Sequence, residues 1–248
     1  EELLRATIET AQYENQITLI RSIHQDCSEV WNWESIKNSE PPSKPQISHL
    51  KEKEVQALID NFKPSFFDKL FGKTDIKLKE LNERLNNAIK QDQLVYNDEL
   101  KLYEKNLNDL EELKSLASRI IDGDLNAYRE AVEQINPFSE ISMIGSSIDF
   151  SFINKDSIRI NLNVNSDKSI PSEEKILLKT GKLSVKSIPK SKFYELYQDY
   201  VCGCVLRVAR EIFALLYLEK AVITAYGEIL NQKTGYPENV PILSVLIP

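Results

Sequence analysis

The chain has 248 residues, 42% of them apolar and 28% charged, and a formal net charge of −7. It is too rich in apolar residues for a disordered chain and, with only 7 Gly, too Gly-poor for a collagen-like one. No run of about 18 or more uncharged apolar residues is present to span a bilayer, and the net acidity argues against duplex wrapping, which phosphate neutralisation drives.

Residues 3 to about 25 carry Leu4, Ile8, Ala11, Ile20 and Ile23 at near-helical spacing and read as one amphipathic helix. The start, Glu1 to Arg5, has neither the basic leader nor the apolar core of a signal peptide. Trp31 and Trp33 follow in what reads as a packed loop. The stretch from Ser39 to Lys44 and Pro45 is a connector, because Pro41, Pro42 and Pro45 each remove a donor. Ser48 is the expected cap of a second helix with Leu50, Val55, Leu58, Ile59 and Phe62 on its apolar face. Pro64 opens a short turn crowded with Phe66, Phe67, Leu70 and Phe71 before Gly72.

From Thr74 to Asp122 there is neither Gly nor Pro. Leu78, Leu81, Leu85, Ile89, Tyr96, Leu100, Tyr103, Leu107, Leu110, Leu113, Ala117 and Ile120 form one stripe. One continuous helix is preferred over a hairpin turning between Lys90 and Asp98. At 1.5 Å per residue it is roughly 70 Å long. The first two helices together have about the length needed to cover it; the other solution is a second copy, although Asp92 and Asn97 interrupt strict heptads. Gly123 ends this helix, and Asp124 caps a short one running to Ile135.

After Gly145 the period changes to two. Ile148, Phe150 and Phe152, then Ile158, Ile160, Leu162 and Val164, predict a β-hairpin. Ile176–Leu178 and Leu183–Val185 predict two strands about the Thr180-Gly181 turn. Ser191 to Leu216 reads as a helix with a broad apolar face, Lys220 to Glu228 as a central strand and Val240 to Ile247 as the last strand. The expected fold is α+β: residues 1–140 all-helical with one very long helix, residues 141–248 a mostly antiparallel sheet packed on a long helix.

Three stretches carry a resemblance: Ile188 to Leu216 (IPKSKFYELYQDYVCGCVLRVAREIFALL), Lys63 to Phe71 (KPSFFDKLF) and Ser22 to Ser28 (SIHQDCS). Together they resemble a family of uncharacterised bacterial proteins, some of which begin with a small Gly-rich basic domain of unknown function. That domain has no counterpart here. The resemblance implies a bacterial source and assigns no activity.

The chemistry-bearing candidates are few. Lys175, Lys179, Lys182, Lys186, Lys190 and Lys192 form a stretch in which no acid intervenes. If its strands lie beside the strand carrying Arg159, Asn161 and Asn163, one sheet face becomes basic and amide-rich. Such a face suits nucleic acid or a phosphorylated ligand; the plain alternative is solvated lysine guarding an exposed sheet. Glu173 and Lys175, with Asp149, Asp156 or Asp167 upstream, form the sparse pattern of a Mg²⁺-dependent nuclease of a defence or mobile-element system. Only under that reading is a cofactor expected. His24, Asp26 and Cys27 lie close enough for a Cys–His pair but lack an oxyanion loop. Phe62 to Phe71 with Lys63, Lys69 and Lys73 is too short and too acidic for a membrane-surface helix.

Cys27, Cys202 and Cys204 are too few for a disulfide framework, and the last two point about 200° apart on a helix. They fit a reducing cytoplasm. No phosphate loop, nucleophile elbow, Cys-x-x-Cys pair or dinucleotide fingerprint occurs. The expectation is a non-enzymatic cytoplasmic binding or assembly protein, its helical arm joining itself or another protein and its basic sheet face holding an anionic ligand.

Overall fold

A computed structural model describes residues 1–65, 73–139, 147–164 and 169–248. Its helices are α1 (Glu2–Ser22), α2 (Trp33–Lys37), α3 (Leu50–Asp60), α4 (Thr74–Ile121), α5 (Leu125–Ile135) and α6 (Lys190–Leu215). The strands are β1 (Ser147–Asn154), β2 (Ser157–Asn163), β3 (Glu173–Leu177), β4 (Leu183–Ser187), β5 (Lys220–Leu230) and β6 (Pro237–Ile247). The fold is α+β. The stretch free of Gly and Pro is one uninterrupted helix, α4, and Gly123 just beyond its end adopts φ of +78°, the left-handed turn that only Gly enters without strain. Asp124 then caps α5 by accepting from the Asn126 N–H at 2.9 Å.

Two compact units result. The first comprises Glu1–Glu34 and Leu116–Pro248, the second Ser35–Ser115. The first unit therefore includes α1 together with the strands and α6.

In the first unit, a four-stranded sheet has the order β1-β2-β5-β6, antiparallel except for the parallel β2–β5 pair. One face holds Ile158, Ile160, Leu162, Ala221, Ile223 and Ala225, all fully buried. α6 packs across β5, and α5 lies under β1, where Tyr128 meets Phe152 edge-on at 5.5 Å between ring centroids. β5 is central, as its two-sided apolar pattern predicts. Closely fitted, it leaves no space at Gly227: a Cβ there would lie 2.5 Å from the Tyr197 hydroxyl and 3.2 Å from Ile242 Cδ1.

α1 differs from its expected orientation. The side chains it buries are Ala6, Tyr13 and Ile20, with Ile23 just beyond, whereas Leu4 and Ile8 are exposed. The reason is its partner: α1 lies on α6 and β3, and a seven-residue period meets that narrow seam. Gly203 of α6 permits the approach, since a Cβ there would already touch Ile23 at 3.4 Å.

Beyond α1 the chain returns onto α6. Glu211, 1% exposed, accepts from the Ser28 N–H at 3.1 and 3.3 Å and from Arg207 Nε at 2.6 Å. Arg207 also reaches Asp26 at 3.4 Å. Burial alone would lower the Arg207 pKa, but its bonds to Glu211 and Asp26 outweigh that and raise it. Trp33, fully buried, donates from Nε1 to the Leu215 carbonyl at 2.6 Å and stacks on Trp31.

In the second unit, Ser48 is not the cap of α3. His49 holds that position with φ of +50° and no capping bond of its own side chain. The free N–H groups of Lys51 and Glu52 are instead met at 3.3 and 2.9 Å by the Asp92 carboxylate, from the middle of α4. The residue that breaks the heptads is thus the anchor of α3.

Two consequences are measurable. Gly227→Ala should destabilise the first unit by ~1–3 kcal/mol through overpacking, read as a lower urea midpoint, and Tyr197→Phe in the same chain should recover part of the loss. Asp92→Ala should cost ~1 kcal/mol by uncapping α3, seen as faster amide exchange at Lys51 and Glu52; unchanged protection there would contradict the anchor.

Candidate functional site

The lysine stretch folds into a two-stranded sheet of its own. β3 and β4 pair antiparallel, with Lys175 opposite Val185 and Glu174 opposite Lys186, around a turn in which Gly181 takes φ of +80°. This overturns one expectation. The lysines are not neighbours of Arg159, Asn161 and Asn163 in a sheet, because β2 is already paired on both sides, by β1 and β5.

Nor is the stretch uniformly free. Lys175 Nζ pairs with Glu9 of α1 at 3.0 Å, and Lys192 Nζ pairs with Glu174 at 2.5 Å. The bond to Glu174 is the main reason the Lys192 pKa is raised, with burial opposing it and the Tyr13 hydroxyl adding to it. Lys179, Lys182, Lys186 and Lys190 are exposed, and none forms an ion pair among the described residues. Lys186 faces Glu174 across the ladder, but the Glu174 carboxylate is engaged by Lys192. The hairpin and the start of α6 therefore present four uncompensated cations.

The second candidate surface is the open face of the four-stranded sheet. The register aligns Ser151, Arg159, Val222 and Leu246 in one row and Asp149, Asn161, Thr224 and Ser244 in the next. Asn163 Nδ2 donates to Ser147 Oγ at 3.1 Å, its Oδ1 accepts from Asn239 at 2.9 Å, and the Thr224 and Ser244 hydroxyls bond at 3.1 Å. Amides and hydroxyls on this face are largely satisfied by one another. Arg159 and Lys220 are exposed cations on it, with Asp149 in the row adjoining Arg159.

The nuclease pattern fares differently. Glu173 and Lys175 share one face of β3 and line a cleft of about 270 Å³ with Glu9, Gln12, Tyr13 and Gln16 of α1. Lys175 spends its charge on Glu9. Asp149 stands on the edge strand of the other sheet, and Asp156 in the β1–β2 turn, where its backbone carbonyl accepts from Glu219 and Lys220. Asp167 lies outside the described residues. Among the described residues no three His, Cys, Asp or Glu side chains gather as a metal-holding group.

At the end of α1, Asp26 faces Arg207, the Cys27 thiol donates to the Ser28 carbonyl at 3.5 Å, and the His24 carbonyl accepts from Arg210. Both acid and thiol are engaged in holding the loop. Cys202 is exposed and Cys204 buried on opposite sides of α6, and none of the three cysteines is in a disulfide. Phe66, Phe67, Leu70 and Phe71 lie outside the described residues, and no described helix is long and apolar enough to cross a membrane.

The residues that sequence reasoning missed are Glu9, Tyr13 and Glu174. Glu9 sits at i+4 from Arg5 and signals only a surface helix pair. Nothing local links it to Lys175. No family model, curated protein sequence or solved structure matches the chain.

The Glu9 carboxyl is held below the usual carboxylate range, first by the hydrogen bond from Lys175 and then by Arg5. A depressed carboxyl stabilises the fold at pH values above its unfolded pKa and loses that effect as pH falls through the folded one. Lys175→Met should return the Glu9 titration toward its ordinary value, measured by carboxyl-carbon NMR. An unmoved Glu9 titration would contradict the pairing.

Proposed function

We propose that this chain is a non-enzymatic binding and assembly protein, whose cationic hairpin holds an anionic partner and whose helical unit mediates association. The observation that carries the reading is the contrast along one lysine stretch. Lys175 and Lys192 are neutralised by Glu9 and Glu174, whereas Lys179, Lys182, Lys186 and Lys190 are left exposed in an otherwise acidic chain. Isolated cations on a rigid hairpin attract phosphates without a deep pocket, because backbone contacts position rather than discriminate. Arg159 offers a further contact on the open sheet face, beside the Asn161 and Asn163 amides. Nucleic acid, a polyanion of closely spaced phosphates, is the partner we propose for such a surface.

A single-stranded oligonucleotide titrated at two salt concentrations tests this. With three or four lysines engaged, log affinity should fall with log salt at a slope of about −2 to −3. Lys179→Glu, Lys182→Glu and Lys186→Glu combined should abolish binding, whereas Lys175→Met should leave the slope unchanged. Absence of binding at low salt, or full affinity in the triple variant, would refute the reading.

A further inference from the structure

Among the described residues of the second unit only Ala88 and Asp92 are buried, and Asp92 is buried where α3 begins. Apart from those two, the stripe of α4 from Leu78 to Leu110 is half-buried, as are Val55 and Ile59 of α3. A row of leucine and tyrosine left short of full burial over so long a surface calls for a partner.

The arrangement of that stripe identifies the partner. In the structure its inward positions from Leu78 to Leu110 are 78, 81, 85, 88, 92, 96, 100, 103, 107 and 110, with Ala88 and Asp92 in place of the expected Ile89, which is exposed, and the gaps between them read 3, 4, 3, 4, 4, 4, 3, 4, 3. The series is the same in both directions, with its centre at position 94. The three consecutive gaps of four are a stutter, and they fall at that centre. Reversal about it exchanges Leu78 with Leu110 and Leu81 with Leu107.

Charge follows the same centre independently. Positions equidistant from 94 carry opposite charges in five cases: Lys77 and Glu111, Lys79 and Asp109, Glu83 and Lys105, Arg84 and Glu104, Lys90 and Asp98. Between Asp75 and Leu113 no equidistant pair carries like charges. In a parallel, in-register pair every one of these charges would stand level with its own copy.

From these two coincident symmetries we infer that the occupant of the α4 stripe is a second copy of this chain, aligned antiparallel about position 94. Each half of the stripe then meets the reversed half, and the basic side chains near the start of α4 lie level with the acidic ones near its end. A seam roughly 50 Å long and about 10 Å wide on each copy buries about 1,000 Å² in all, the least a specific interface needs. This inference rests on the association half of the proposed function and names its partner.

Sedimentation equilibrium on the whole chain, from low to high micromolar concentration, should give a dimer. A monomer throughout overturns the inference. A photoreactive residue substituted for Asn82 should crosslink near Asn106 of the other copy; capture near position 82 of the other copy, the parallel outcome, would overturn it too. Lys79→Glu with Arg84→Glu should weaken dimerisation about tenfold with helicity retained by circular dichroism, and adding Glu104→Lys with Asp109→Lys should restore it. Unweakened dimerisation, or no restoration, counts against the alignment. A monomer that still binds the oligonucleotide leaves the ligand reading standing, and a dimer that does not bind it leaves only this inference.

Discussion

The first unit depends on one buried ion pair. Glu211 and Arg207 sit on adjacent turns of α6, and neither has water to fall back on. Glu211 satisfies the Ser28 N–H, and Arg207 reaches Asp26, so together they fix the path of the chain where it leaves α1. That path delivers Trp33 to the Leu215 carbonyl at the far end of the same helix. Removing one member of such a pair would leave the other charged, buried and unsatisfied, which typically costs about 3–5 kcal/mol. The geometry also explains why α1 turns Tyr13 and Ile20 inward rather than Leu4 and Ile8. Its end is held by the loop, and its rotation follows from where that loop is pinned.

The same helix organises the charges. Its first turn supplies Lys192, which takes up Glu174, and α1, lying alongside, supplies Glu9 to take up Lys175. The lysine stretch thereby divides into a neutralised base and an exposed rim. A net charge of −7 conceals this division, because one compensating acid, Glu9, comes from an element far away in the chain and the other, Glu174, precedes the stretch by one residue. What a distant phosphate would sense is the local remainder, not the average.

Features set by local chemistry were legible in advance. The absence of Gly and Pro from Thr74 to Asp122 predicted α4, Gly123 its end, Asp124 the cap of α5, and the alternation from Ile148 to Leu162 the β1–β2 hairpin. Features set by distant partners were not. Asp92 reads as an interruption until α3 arrives to donate two N–H groups to it. Lys182 and Lys186 read as companions of Arg159 until β5, encoded more than fifty positions after β2, takes the parallel place beside it. The face of α1 was misread for the same cause, since Gly203, which lets α1 come close, belongs to α6. Of the candidate site, its residues were legible, and their grouping into two separate surfaces was not.

The last strand carries a consequence for how the chain folds. Among the described residues β6 pairs only with β5, and its stretch from Ile242 to Ile247 bears no charged side chain. Pro237 and Pro241 are the only interruptions to a row of donors that any extended segment could join. The β5–β6 hairpin is local and closes quickly, whereas the β2–β5 ladder must wait for β3, β4 and α6 to be enclosed between its strands. For that interval the hairpin is an open template with two adhesive sides. The outer edge of β6 is therefore the margin at which an extended segment of another chain would most readily join this sheet.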